Sequence, residues 1–262
     1  YCWKRAPEFG VVREDIMDML LIAVPLSIIG ARLYYIIFYL ELFRTAEGRL
    51  DFVQMLRIWD GGLAIYGAII AALVTVYIFA KSRGFSFFAW TDMGVLGLLI
   101  GQAVGRWGNF VNVEAYGGPT GLPWRMGIYE WENGVCRYLE VHPTFLYESV
   151  WNTLGLLVLI WFSRKGRRKF DGMLLALYLL WYGFGRGMIE GLRSDSLYLF
   201  GLELFGMPVR TSQLLGFASA AAAAGVLIYH LAVKRHTPEE LYVNRAETLK
   251  FGQETDQDGS NS

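Results

Sequence analysis

Six long apolar runs constrain what this chain can fold into more than any other feature of its sequence. They occupy residues 16–43, 61–80, 85–104, 144–162, 173–189 and 211–233. A hydrocarbon core about 30 Å thick takes about 20 apolar residues to cross as a helix. The run at 173–189 lies at the short end and lengthens only if Glu190 is tolerated. The run at 16–43 is long, and tilts or breaks at Pro25. All six are continuous rather than alternating, and an open sheet would leave backbone groups unsatisfied in lipid. The expected fold class is therefore an all-α integral membrane protein, a polytopic helix bundle of six spans with an extracytoplasmic loop region.

Composition agrees. Hydrophobic residues make up 54% of the chain and charged residues 18%, against an apolar share of about 45–50% in soluble domains. The net charge of zero gives no bulk basicity to attract nucleic acid. Cys2 and Cys136 are far apart and form no CxxC pair, and His142, His230 and His236 form no HExxH pattern. Neither a disulfide framework, a metal site nor a cofactor is expected. The chain opens Tyr1-Cys2-Trp3-Lys4-Arg5, without Met or a signal-peptide pattern, and reads as beginning in mid-protein.

Lys and Arg in the short connections set orientation. Lys4, Arg5 and Arg13 fall on one side with Lys81 and Arg83, then Arg164, Lys165, Arg167, Arg168 and Lys169, then Lys234 and Arg235. With six spans these alternate onto one face, the cytoplasmic one, together with both termini. The loops at 44–60, 110–143 and 191–210 face outward. Residues 1–236 form the membrane domain, with a cavity toward the outer leaflet, and 237–262 form a polar cytoplasmic tail expected to be disordered. The loop at 115–141, rich in Gly, Trp and Tyr, is expected to lie ordered at the interface, where such aromatics collect.

Polar groups at the outer ends of the spans are the candidates for chemistry. Gly105-Arg106-Trp107-Gly108-Asn109-Phe110-Val111-Asn112-Val113-Glu114 closes the third run, with Gly117 just beyond. A charge at membrane depth is expensive and faces a protein interior or a wet cavity. The planar fork of arginine suits phosphate. Snorkelling of Arg106 to the surface is the plainer structural reading. In the fifth run, Tyr182, Arg186, Glu190 and Arg193 are spaced by four, four and three, which sets them on one helical stripe. An internally neutral Arg186–Glu190 pair is the plain alternative. His142-Pro143-Thr144-Phe145-Leu146-Tyr147-Glu148 opens the fourth run, where capping explains Pro143 and Thr144 but leaves His142 and Glu148 as candidates. Tyr66 at the start of the second run and Arg32 inside the first are further candidates, which an interface tyrosine and an arginine snorkelling outward also explain. Two arginines near one leaflet imply an anionic ligand, and a phospholipid phosphate is the natural one there.

These motifs, with Gly30-Ala31-Arg32-Leu33-Tyr34-Tyr35 and Gly61-Gly62-Leu63-Ala64-Ile65-Tyr66-Gly67, resemble the signatures of the prolipoprotein diacylglyceryl transferase family over residues 15–233. The resemblance implies a seven-helix enzyme of the bacterial inner membrane, of which the first helix has no counterpart in this chain. It implies transfer of the diacylglyceryl group of phosphatidylglycerol to the lipobox cysteine of preprolipoproteins, with glycerol phosphate released. Arg106 then matches the arginine that binds phosphatidylglycerol, and Asn109, Glu114 and Gly117 match its companions. Tyr182 and Arg186 match the essential tyrosine and arginine of the later motif, followed by Glu190 and Arg193. Some members carry a histidine where Tyr66 stands, so a histidine base does not carry over to that position. Tyr66, His142 and Glu190 stay open as proton acceptors. A phospholipid-binding or transporting protein without chemistry is the alternative, but neither paired repeats nor interrupted midplane helices favour it.

Overall fold

A computed structural model describes residues 1–45, 48–132, 134–164, 166–194, 198–204, 207–234 and 236–245. The chain divides into two compact units, one of Trp3–Trp90 and one of Thr91–Ser262 with Tyr1–Cys2.

The first unit is built on helices α1 (Arg13–Phe38) and α2 (Ile65–Ser82). Helix α1 runs unbroken through Pro25, and a 3-10 turn at Leu40–Phe43 takes over where the sequence suggested further helix. The two helices touch backbone to backbone. A Cβ on Gly67 would lie 2.3 Å from the Gly30 carbonyl oxygen, and one on Gly30 would lie 2.5 Å from Ala71 Cβ. Small residues permit such approaches, and in lipid close packing is what holds helices together. Near the other end of the pair, Arg83 of the following turn binds Asp15 at 3.0 Å and Asp18 at 3.1 Å.

The second unit holds most of helix α3 (Phe87–Val111), with α4 (Thr144–Ser163), α5 (Met173–Glu190) and α6 (Thr211–Ile228). A π turn, Tyr229–Val233, extends α6. Asp92 is fully buried and caps α5: its carboxylate accepts from the Gly172 and Leu175 N–H groups, both at 2.9 Å. Helices α5 and α6 meet at Gly183 and Gly216, where a Cβ on Gly183 would lie 2.4 Å from the Gly216 oxygen. Helices α4 and α5 are locked by Trp151 and Trp181. Their rings stack at 4.6 Å, and each indole N–H donates to the other residue's carbonyl, at 3.0 and 2.9 Å.

Among the described residues, five helices are long and apolar enough to cross a membrane: α1, α2, α3, α4 and the span Thr211–Val233. They make this a mostly helical, multi-pass membrane protein. The remaining run forms α5, 18 residues that include Arg186 and Glu190. Two expectations gain detail. The third span does not stop at Val104, because the helix continues to Val111 and takes the Arg106 motif with it. The loop at 115–141 contains an antiparallel hairpin, β1 (Met126–Glu132) with β2 (Val135–Val141), and a second hairpin pairs β3 (Tyr198–Leu204) with β4 (Met207–Arg210). At the start of the polar segment, the Tyr242 N–H donates to Asp171 at 2.8 Å. Residues 246–262 of the expected tail lie outside the described residues.

Candidate active site

Glu148, one turn into α4 and 5% exposed, is the centre of the site. Arg106 of α3 approaches its Oε2 at 2.5 Å, and Arg186 of α5 donates to its Oε1 at 2.9 Å. Arg193, just past α5, stands 3.9 Å from the same Oε1. Arg186 also reaches Glu190 Oε2 at 2.6 Å, across one helical turn. The guanidinium of Arg210, next to the start of α6, donates to the Glu190 carbonyl oxygen.

Three guanidinium groups thus gather about the Glu148 carboxylate, one of them also pairs with Glu190, and a fourth, that of Arg210, holds the Glu190 backbone oxygen. Arg106 and Arg186 keep 21% and 16% of their side-chain surface exposed, whereas Glu148 and Glu190 keep 6% and 2%. The acids are thereby sealed inside while the guanidinium groups remain partly open. Such a cluster suits an anion with several oxygens, because a guanidinium presents its donors as a planar fork that matches them.

Local sequence explains how the arginines are placed. Helix α3 is tied to α4 near Arg106 by Ser149, which donates to the Ala103 oxygen at 2.8 Å and accepts from the Trp107 indole at 3.2 Å. Beyond α3 the chain turns sharply, with Val113 at φ 52° and Ala115 at φ 58°. A left-handed conformation is a strain for any side chain and most of all for a β-branched one. The turn folds Glu114 back so that Asn109 and Asn112 donate to its Oε1 at 3.0 and 3.2 Å. The Thr144 hydroxyl holds the Ala115 oxygen.

Gly117 sits where backbones crowd. Its N–H donates to the His142 oxygen at 2.9 Å, and it bridges to Arg193. A Cβ there would meet His142 Cβ at 2.7 Å and the Leu192 oxygen at 2.9 Å, so Gly117 fixes the segment that presents Arg193. His142 Nδ1 lies 3.2 Å from the Tyr147 hydroxyl, which accepts from the Trp124 indole at 2.9 Å. On α5, Tyr182 lies one turn before Arg186, its ring parallel to that of Tyr178.

The structure therefore joins Arg106, Glu148, Arg186, Glu190 and Arg193 directly. Asn109 and Glu114 bind each other, and His142 binds Tyr147. Tyr66 and Arg32 belong to the first unit. There Tyr66 lies against Tyr34 with ring centroids 6.3 Å apart. Arg32 is 7% exposed and donates to five carbonyls, those of Gln54, Met55, Arg57, Gly61 and Gly62, at 2.7–3.2 Å. Its fork staples the 54–62 segment rather than snorkelling. The sequence reading missed Arg210, although an arginine directly before the sixth run, at the end expected to face outward, was a legible signal.

The model of the family described as prolipoprotein diacylglyceryl transferase matches residues 1–229. A Streptococcus pneumoniae protein named phosphatidylglycerol–prolipoprotein diacylglyceryl transferase is 42% identical over 205 residues, 77% of this chain and 75% of that protein. One of the same name from Lysinibacillus sphaericus is 39% identical over 233 residues, 86% of this chain and 80% of that protein. The chain belongs to the prolipoprotein diacylglyceryl transferase family.

Proposed function

We propose that this chain is a transferase that moves the diacylglyceryl group of phosphatidylglycerol onto the cysteine thiol of a preprolipoprotein lipobox. A thioether forms and glycerol phosphate leaves. The observation that carries this reading beyond family membership is the gathering of Arg106, Arg186 and Arg193 on buried Glu148. The thiol sulfur attacks the glycerol carbon that bears the phosphate, the carbon–oxygen bond breaks, and its electron pair goes to the phosphate oxygen. Charge therefore grows on the phosphate, where the arginine donors stabilise it.

An ordinary thiol has a pKa near 8.5 and needs a proton acceptor to attack as thiolate. Tyr66, His142 and Glu190 are the candidates. Tyr182 stands beside Arg186 as a hydroxyl for the substrate. Asn109, Glu114 and Gly117 shape the outer end of α3 and the turn after it. The substrates are phosphatidylglycerol from the surrounding bilayer and the lipobox signal peptides of preprolipoproteins. The chain sits in the bacterial cytoplasmic membrane with its site toward the outer leaflet and its C-terminus in the cytoplasm. The distribution of Lys and Arg supports this orientation.

The test is mass analysis of a lipobox peptide after incubation with the purified chain and phosphatidylglycerol vesicles. A diacylglyceryl adduct on the cysteine is expected. Lipid binding with an unchanged peptide would instead mark a phospholipid-binding protein without chemistry.

A further inference from the structure

One turn before Arg106 on α3, and two turns before Arg186 on α5, a further hydrogen bond joins the two helices. Gln102 precedes Arg106 by four residues, and Tyr178 precedes Tyr182 by four, so each lies on the same stripe as the site residue above it. The Gln102 amide donates to the Tyr178 hydroxyl at 2.9 Å, directly across the two helices. Tyr178 is 7% exposed, while Tyr182 is partly open. The two rings lie 5.4 Å apart and only 12° from parallel.

We propose that Gln102 and Tyr178 are positioning residues for the transfer reaction, setting the place of the Tyr182 hydroxyl through the stacked rings. A phenol that is only partly buried has freedom about its side-chain torsions. Here one face is covered by a ring whose own hydroxyl is pinned from the opposite helix, so the surface against which the upper ring stacks is itself fixed by a buried hydrogen bond. An unmade bond of that kind is costly in a low-dielectric interior. The path is local and directional, from the α3 amide to the lower ring, to the upper ring, to its hydroxyl. Neither Gln102 nor Tyr178 need touch substrate. The inference rests on the transfer reading given above and adds to it which residues hold the phenol in register.

The experiment measures kcat and KM for phosphatidylglycerol in wild type, Tyr178→Phe, Gln102→Leu, Tyr182→Phe and the two doubles with Tyr182→Phe. Tyr178→Phe keeps the packed ring and loses only the anchored hydroxyl. Each positioning variant is expected to lower kcat about tenfold with little change in KM, a scale set by the sensitivity of oriented reactions to small displacements. In the Tyr182→Phe background, where the positioned hydroxyl is absent, neither change should lower kcat further. A general loss of packing would instead lower activity in both backgrounds and depress the melting temperature. Additive losses, or a Tyr178→Phe variant with wild-type kcat, would overturn the positioning role while leaving the transfer reading intact. A folded wild-type chain that transfers nothing would overturn both. If Gln102→Leu fails to fold, the Tyr178→Phe and Tyr182→Phe pair decides the question by itself.

Discussion

The Arg106 guanidinium lies 2.5 Å from Glu148 Oε2, so that a buried carboxylate on α4 holds an arginine of α3 in place. Glu148 simultaneously holds Arg186 through its other oxygen. Replacing Glu148 with Gln keeps the shape and removes the charge, leaving two guanidinium groups without their shared partner. Breaking such a buried arrangement costs about 3–5 kcal/mol. Glu148→Gln should therefore melt well below wild type in detergent and lose transfer activity together with stability. An unchanged melting temperature would mean that water, not Glu148, compensates the arginines.

Arg106→Lys separates charge from geometry. A lysine can still pair with Glu148, but a compact ammonium cannot serve that carboxylate and a phosphate with a planar fork. The variant should fold nearly as well as wild type and transfer at least about tenfold more slowly, the equivalent of roughly 1.4 kcal/mol at the transition state. Wild-type rates with the lysine would remove the fork from the account.

Orientation has a built-in reporter, because Cys136 on β2 is exposed. In intact cells an impermeant maleimide should label wild type at Cys136, and Cys136→Ser should abolish that signal. Cysteines placed at Ser82 and Gly166 should label only after the membrane is opened. Labelling at Ser82 in intact cells would reverse the topology.

Asp171 sits outside the spans, where burial pushes its carboxyl above the usual range despite the Tyr242 N–H bond and nearby Arg168. A group with a raised folded-state pKa binds more protons folded than unfolded, so its contribution to stability falls as pH rises through the shifted value. Asp171→Asn removes that charge and can keep the acceptor for Tyr242. The gain in melting temperature over wild type should be larger near neutral pH than near pH 4, where protonation already removes more of the charge. Melting curves at the two pH values check it, and a gain confined to the acid side would contradict the sign.

Much of the scaffold was legible in the sequence. Apolar length located the helices, and the spacing of Tyr182, Arg186 and Glu190 placed them on one stripe. The continuation of α3 past Val104 was not legible, because Gly105, Arg106 and Gly108 interrupt the apolar run while ties such as Ser149 to the Ala103 oxygen hold the helix. The first hairpin had a signal that interface aromatics obscured. Gly134, with φ 78°, stands between the paired Glu132 and Val135, and a glycine before a second extended run is a turn cue. Glu148 as hub could not be read from spacing at all, since its partners come from two other helices. Arg32 illustrates the reverse: the same cue of an arginine within a span marked a residue committed to five backbone carbonyls.

The central claim is that sulfur displaces phosphate at carbon. Phosphatidylglycerol carrying heavy oxygen in the bridge between the diacylglycerol carbon and phosphorus tests it directly. Incubation with the chain and a lipobox peptide should yield a thioether-linked peptide free of the label, with all of it recovered in the released glycerol phosphate. Label retained in the lipid product, or release of glycerol phosphate without a modified cysteine, would contradict the account.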